Sequence, residues 1–139
     1  LAESWGWLLT EPFVPVLFSV FGDVFFEPDS GGIWWLNTGT AEVSRVAHTV
    51  QEFGGLLGTD LANDWFMPDL IESLQAAGKF AGAGQCYSYV VLPVFAEGRY
   101  EVENLNPVPV HEHFGLTGRV LRELRSLPDG ALVRLKVGP

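Results

Sequence analysis

Val14-Pro-Val-Leu-Phe-Ser-Val-Phe21, Asp23-Val-Phe-Phe-Glu27 and Ile33-Trp-Trp-Leu36 follow one another closely, the last two separated by Pro28-Asp-Ser-Gly-Gly32. β-Branched and aromatic side chains suit a pleated, half-buried surface, and the Pro-Asp-Ser-Gly-Gly run supplies turn geometry. The stretch therefore predicts strands, with the second and third joined as a hairpin. Asn37-Thr-Gly-Thr40 is a second turn, and residues 41–46 predict a further strand without a clean apolar face. Ahead of the strands, Trp5 to Leu9 predicts the end of an opening helix. It stops before Glu11-Pro12 because proline pushes the residue preceding it out of the α region.

Beyond the hairpin the pattern turns helical. Thr49-Val-Gln-Glu52 fits a capping box that opens a short helix running to Leu57. Asn63 or Asp64 is the expected cap of the next helix, with Pro68 in its first turn, Leu70, Ile71, Leu74 and Ala77 at helical spacing, and a stop at Gly78. Cys86 to Val94 predicts an apolar strand, expected to be central. Glu97-Gly-Arg99 turns the chain into Tyr100 to Val102, and Pro107 and Pro109 make the following stretch an edge or an extended connection. Leu116, Val120, Leu124 and Leu127 form a helical stripe ending at Pro128-Asp-Gly130, and Leu132 to Val137 predicts a last strand. Strands in a row followed by helix and strand imply an α+β fold: a largely antiparallel sheet with helices packed against it, in a single compact domain.

Composition bounds the function. The chain has 139 residues, 47% of them hydrophobic, with five Trp, ten Phe and three Tyr, enough to build a core and to exclude a disordered chain. The longest apolar run, Phe13 to Phe21, is too short to span a bilayer and carries Pro15 and Ser19. The single cysteine, Cys86, leaves no internal disulfide to form, which makes the cytoplasm the expected compartment. The sequence opens on Leu1 rather than Met, which leaves a preceding or cleaved segment open. A net charge of −9 argues against direct nucleic-acid binding and for a basic partner. The acidity is concentrated: residues 1–78 hold one base, Arg45, against eleven acids.

No catalytic constellation emerges. His111-Glu-His113 could place two imidazoles on one face of a strand, but a third metal ligand is missing. Gly82-Ala-Gly84 lacks the rest of a phosphate-binding fingerprint and reads as a turn. Cys86 lies in an apolar stretch, where a lone cysteine behaves as a small hydrophobe. Glu97, Glu101 and Glu103 read as a solvated strand face. Trp34 and Trp35 point to opposite faces, so both cannot enter one core; either one of them is exposed or at an interface, or a helix covers the second face.

Phe21-Gly-Asp-Val-Phe25, Trp35-Leu36, Glu52-Phe53, Asn63-Asp-Trp65, Gly84-Gln-Cys-Tyr-Ser-Tyr89, Pro93, Tyr100-Glu-Val-Glu-Asn104, Glu112-His-Phe114 and Leu127-Pro-Asp-Gly130, in that order and spacing, are similar to the type VI secretion immunity proteins whose Tdi-type domain is often joined to a GAD-like region. The resemblance runs across nearly the whole chain, and Gly84 to Tyr89 is its most distinctive piece. It implies one immunity-type domain over residues 1–139, with residues 1–80 as the part to compare with the GAD-like region. It also implies a cytoplasmic antidote that binds a cognate secreted effector, commonly a DNase, and protects the producing cell. Toxin-contacting residues in that family vary with the toxin, so none is implied here.

Charge points the same way on physical grounds. A nuclease presents a positive groove to phosphates, and an acidic surface can steer towards it and occlude it. The candidate partner contacts are Asp60, Asp64, Asp69 and Glu72 around the second helix, Glu27 and Asp29 at the hairpin, and Trp34. The competing reading of the carboxylates is a solubilising surface. The expected function is a non-enzymatic inhibitor of a basic toxin, with no metal and no cofactor. The alternative is a small-ligand-binding or regulatory module, with a small molecule held beneath the strand that begins at Cys86.

Overall fold

A computed structural model describes residues 1–127. Strands β1 (Phe13–Phe18), β2 (Val24–Pro28), β3 (Ile33–Asn37) and β4 (Glu42–Ala47) form a four-stranded antiparallel meander in sequence order. A bulge at Val16, beside Pro15, interrupts the β1–β2 register, as an edge strand tolerates. The Glu11 carboxylate takes the amide and the hydroxyl of Ser30 at 2.8 and 2.7 Å and pins the β2–β3 turn.

Strand alternation gives the meander two apolar faces. Val24, Phe26 and Leu36 enter the larger core with Trp5, Phe21, Tyr87, Leu105, Phe114 and Leu121. Phe25 and Ile33 enter a second cluster with Phe53, Ala62 and Trp65, carried by helices α2 (Val50–Leu56) and α3 (Leu61–Phe66). Phe25 sits at its centre, its ring 5.1 to 6.1 Å from those of Phe53, Trp65, Phe66 and Trp35. Helices therefore cover the second face, which resolves the adjacent tryptophans: Trp35 packs under α2 and α3, and Trp34 lies half-buried against the larger core.

The second half adds helix α3's neighbour α4 (Pro68–Ala76), a two-stranded antiparallel sheet of β5 (Gln85–Tyr89) and β6 (Leu105–Pro109), and helix α5 (Val110–Arg125). The Tyr87 amide donates to the Val20 carbonyl at 2.6 Å and docks β5 on the meander. Lys79 Nζ caps the carbonyls of Val102 and Leu105 at 2.6 and 2.9 Å, fixing β6 behind α4. One-turn helix α1 (Ala2–Trp5) lies so close to α5 that a methyl on Gly118 would overlap the Ser4 carbonyl.

The α+β class, with both sheets antiparallel, agrees with the sequence reading. Local differences have physical causes. The opening helix lies earlier, at Ala2–Trp5, and the chain leaves it through a turn in which the Trp5 carbonyl accepts from Leu8 and Leu9. The helix expected to be capped at Asn63 or Asp64 is two helices, because Met67, preceding Pro68, takes a left-handed conformation at φ 46° and breaks the run. Among the described residues β5 pairs with β6 alone instead of lying centrally in a sheet, and it ends at Tyr89. There the Asn104 side chain captures both the amide and the carbonyl of Val91, at 2.8 and 2.9 Å, and bends the chain away. Tyr100 to Val102 leads into a 3-10 turn rather than a strand. The last predicted strand, Leu132 to Val137, lies outside the described residues.

Candidate functional site

α5 begins at Val110, so His111 and His113 lie on a helix, where positions two apart point in different directions. The paired-imidazole geometry expected for a metal is therefore not formed: His111 is exposed and His113 is 1% exposed. Among the described residues no cluster of three or more His, Cys, Asp or Glu side chains could hold a metal ion. Cys86 is buried, and burial pushes its thiol up to about 12, which removes the thiolate that nucleophilic chemistry needs.

His113 instead anchors a buried polar network that the sequence did not reveal. Its Nε2 lies 2.7 Å from the Thr38 hydroxyl and its Nδ1 lies 2.7 Å from the Ser88 hydroxyl. Thr38 in turn donates its amide to Asp23 Oδ1 at 3.1 Å, and Trp35 Nε1 donates to Asp23 Oδ2 at 3.2 Å. Thr117 Oγ1 donates to the His113 carbonyl at 2.7 Å. Gly22, at φ 77°, closes the site: any side chain there would overlap the His113 ring. The Thr38 hydroxyl donates to the Gly22 carbonyl at 3.0 Å and therefore accepts from Nε2, which carries the ring proton and leaves Nδ1 to accept from Ser88.

Burial holds the His113 imidazole down to about 4, against the raising effect of the Gly22 carbonyl. Burial likewise pushes the Asp23 carboxyl up to about 7, against the donors from Thr38 and Trp35. A serine 2.7 Å from an imidazole superficially resembles a nucleophile and its base. Two features separate the network from one. Asp23 bonds to Thr38 rather than to the imidazole, so it cannot steady an imidazolium, and a histidine held near 4 is a poor proton acceptor at neutral pH. What the network does is join the β1–β2 turn, the β3–β4 turn, β5 and α5 at one buried point. Asp23, Ser88 and His113 each fall in a segment that carried the family resemblance.

On the other side of Ser88 and His113, a groove of about 640 Å³ runs between α5 and the β5–β6 sheet. Val90, Val108 and Leu116 give it apolar walls, and Glu112 and Arg119 of α5 both face it. The sequence reading placed a ligand beneath the strand starting at Cys86, and the groove lies beside that strand.

The carboxylates singled out from the sequence are all at the surface. Asp60 precedes α3, Asp64 lies within it, and Asp69 and Glu72 lie on α4. Asp64 and Asp69 share a groove of about 410 Å³ with Met67, Leu70 and Tyr100. Glu27 and Asp29 sit at the far end of β2, where alternation puts Glu27 on the same sheet face as Phe25, the face that α3 covers. Trp34 contributes half-buried surface, its Nε1 donating to the Gly31 carbonyl at 3.1 Å. Glu97, Glu101 and Glu103 are exposed, with Arg99 3.8 Å from Glu101. The sequence reading missed one surface: Val14, Val16 and Phe18 along β1 and Val20 in the turn that follows are 37 to 65% exposed, in a stretch without charge. Their alternation was readable, but the side left uncovered was not.

No helix of the described residues is long and apolar enough to cross a membrane. The family model described as T6SS immunity protein Tdi1, C-terminal, matches residues 47–120, from the end of β4 to the middle of α5. That span contains α2 to α4, the β5–β6 sheet, Ser88 and His113, whereas Asp23 and Thr38 precede it. No curated protein matches the chain.

Proposed function

The chain belongs to the type VI secretion immunity proteins of the Tdi1 C-terminal family, and from that premise we propose that it binds a cognate toxin and holds it inactive as a stoichiometric, non-enzymatic inhibitor. The family match carries this reading, and the surface chemistry supports its finer points. A chain of net charge −9, with its acids concentrated in residues 1–78, suits a basic target such as a nuclease, most simply a DNase effector. Asp60, Asp64, Asp69 and Glu72 on α3 and α4 form the principal contact surface in this reading. Glu27 and Asp29 extend it along the adjoining sheet face, and Trp34 supplies an aromatic anchor.

The antidote acts in the cytoplasm of the producing cell, with residues 1–139 working as one immunity-type domain and no cofactor. The buried network has a supporting role. By fixing α5 and β5 to the meander it holds the body of the domain in one geometry before the toxin arrives, which limits the ordering cost of association.

Co-expression with the effector gene encoded beside it tests the proposal, reading cell survival together with co-purification. Survival with a stable, salt-sensitive complex is the expected result. Undiminished toxicity with no complex overturns it.

A further inference from the structure

The groove between α5 and the β5–β6 sheet lies apart from the acidic helices, and its charges are arranged differently. Glu112 and Arg119 are seven residues apart on α5, which places them on one helix face about 10.5 Å apart along the axis. Both line the groove, and neither has an ion-pair partner among the described residues, where the recorded pair is Arg99 with Glu101. Leu116 lies between them on the same helix face, and Val90 and Val108 add apolar lining. Ser88, only 7% exposed, also lines it. With its proton committed to His113 Nδ1, its lone pairs remain free to accept from an N–H in the groove.

A negative end, a positive end, an apolar lining and one buried acceptor define a ligand of matching chemistry. We propose that this groove binds a short, free apolar peptide as a zwitterion. Its ammonium group pairs with Glu112, its carboxylate with Arg119, and a central amide N–H donates to Ser88. An extended tripeptide spans about 10 Å, close to the separation of the two charged positions. The cavity volume of about 640 Å³ falls in the range of small-molecule sites. A guanidinium also suits a terminal carboxylate, which it can hold through two parallel bonds. This site rests on the groove alone and is independent of toxin neutralisation.

Isothermal titration of the full chain with Ala-Leu-Ala, its N-acetyl form and its C-terminal amide tests the site. The free tripeptide is expected to bind saturably, and each capped form to bind about tenfold more weakly. In Arg119→Gln the amide and the free peptide should bind alike, and in Glu112→Gln the acetyl form and the free peptide should bind alike. That pairing of variant with cap is a pattern a merely structural role would not give. No saturable binding at millimolar peptide, or binding that neither cap weakens, overturns the proposal. Either result leaves the survival assay unaffected, so the two readings fail separately.

Discussion

The Thr38 hydroxyl lies 2.7 Å from His113 Nε2 although the residues are 75 positions apart, and through this contact the β3–β4 turn is fastened to the long C-terminal helix. Gly22 makes the approach feasible, because its left-handed backbone leaves the space the imidazole fills. Gly22→Ala should therefore destabilise the fold by about 2–4 kcal/mol, combining backbone strain with a steric clash. Gly84→Ala, at a similar φ of 74° but with nothing within 4 Å, should lose only about 1–2 kcal/mol. Urea denaturation of both variants checks the difference; equal losses would mean that His113 yields readily.

The same network predicts opposed pH dependences. His113 is held below its ordinary value, so the unfolded chain binds the extra proton; its contribution is complete above 6.5 and is lost as pH falls towards about 4. Asp23 is held above its ordinary value, so the folded chain binds the extra proton; its contribution is complete below 3.8 and is lost as pH rises through about 7. Each slope reaches at most about 1.4 kcal/mol per pH unit, and between pH 4 and 6.5 they offset each other. Relative to wild type, Asp23→Asn should gain stability as pH rises across that window, and His113→Gln should lose it. Urea midpoints at three pH values across the window read both differences, and slopes of the same sign would contradict the assignment.

Helix α2 offers a test of local propensity. Thr49 Oγ1 accepts the Glu52 amide at 3.1 Å, and the Glu52 carboxylate reaches back to the His48 amide at 3.2 Å, one residue before the cap itself. Thr49→Ala should cost about 1 kcal/mol. Gly54 stands inside the same helix with open space around a Cβ, so Gly54→Ala should stabilise by up to about 1 kcal/mol. Thermal unfolding should move in opposite directions for the two changes.

How far the fold could be read from the sequence follows from where its information lies. Alternation and turn residues placed the meander, and the Thr49 cap placed α2, because these signals are local. Met67 splits one expected helix into two because Pro68 disfavours a right-handed helical conformation at Met67, a local signal present in the sequence but outweighed by the periodicity of Leu70, Ile71 and Leu74. The end of β5 depended on Asn104, a residue 13 positions away from the Val91 backbone it captures. In the sequence His113 stands out only as half of a metal-ligand pair, because the helix start at Val110 carries no side-chain cap to announce it. Its true partners, Thr38 and Ser88, come from distant segments, and nothing about a lone threonine or serine marks it as part of a network. The acidic surface was legible as charge, but its division between α3 and α4 was not.

Whether the acidic surface of α3 and α4 captures a basic toxin is read from the affinity of the purified toxin domain for a charge-neutralised chain. Asp60, Asp64, Asp69 and Glu72 are all exposed, so replacing them with Asn and Gln should leave the fold intact by circular dichroism. Binding should weaken by about a hundredfold with a shallower dependence on salt, while neutralising Glu97, Glu101 and Glu103 should leave affinity near wild type. Unchanged affinity and salt dependence in the folded α3–α4 variant would contradict capture by this surface.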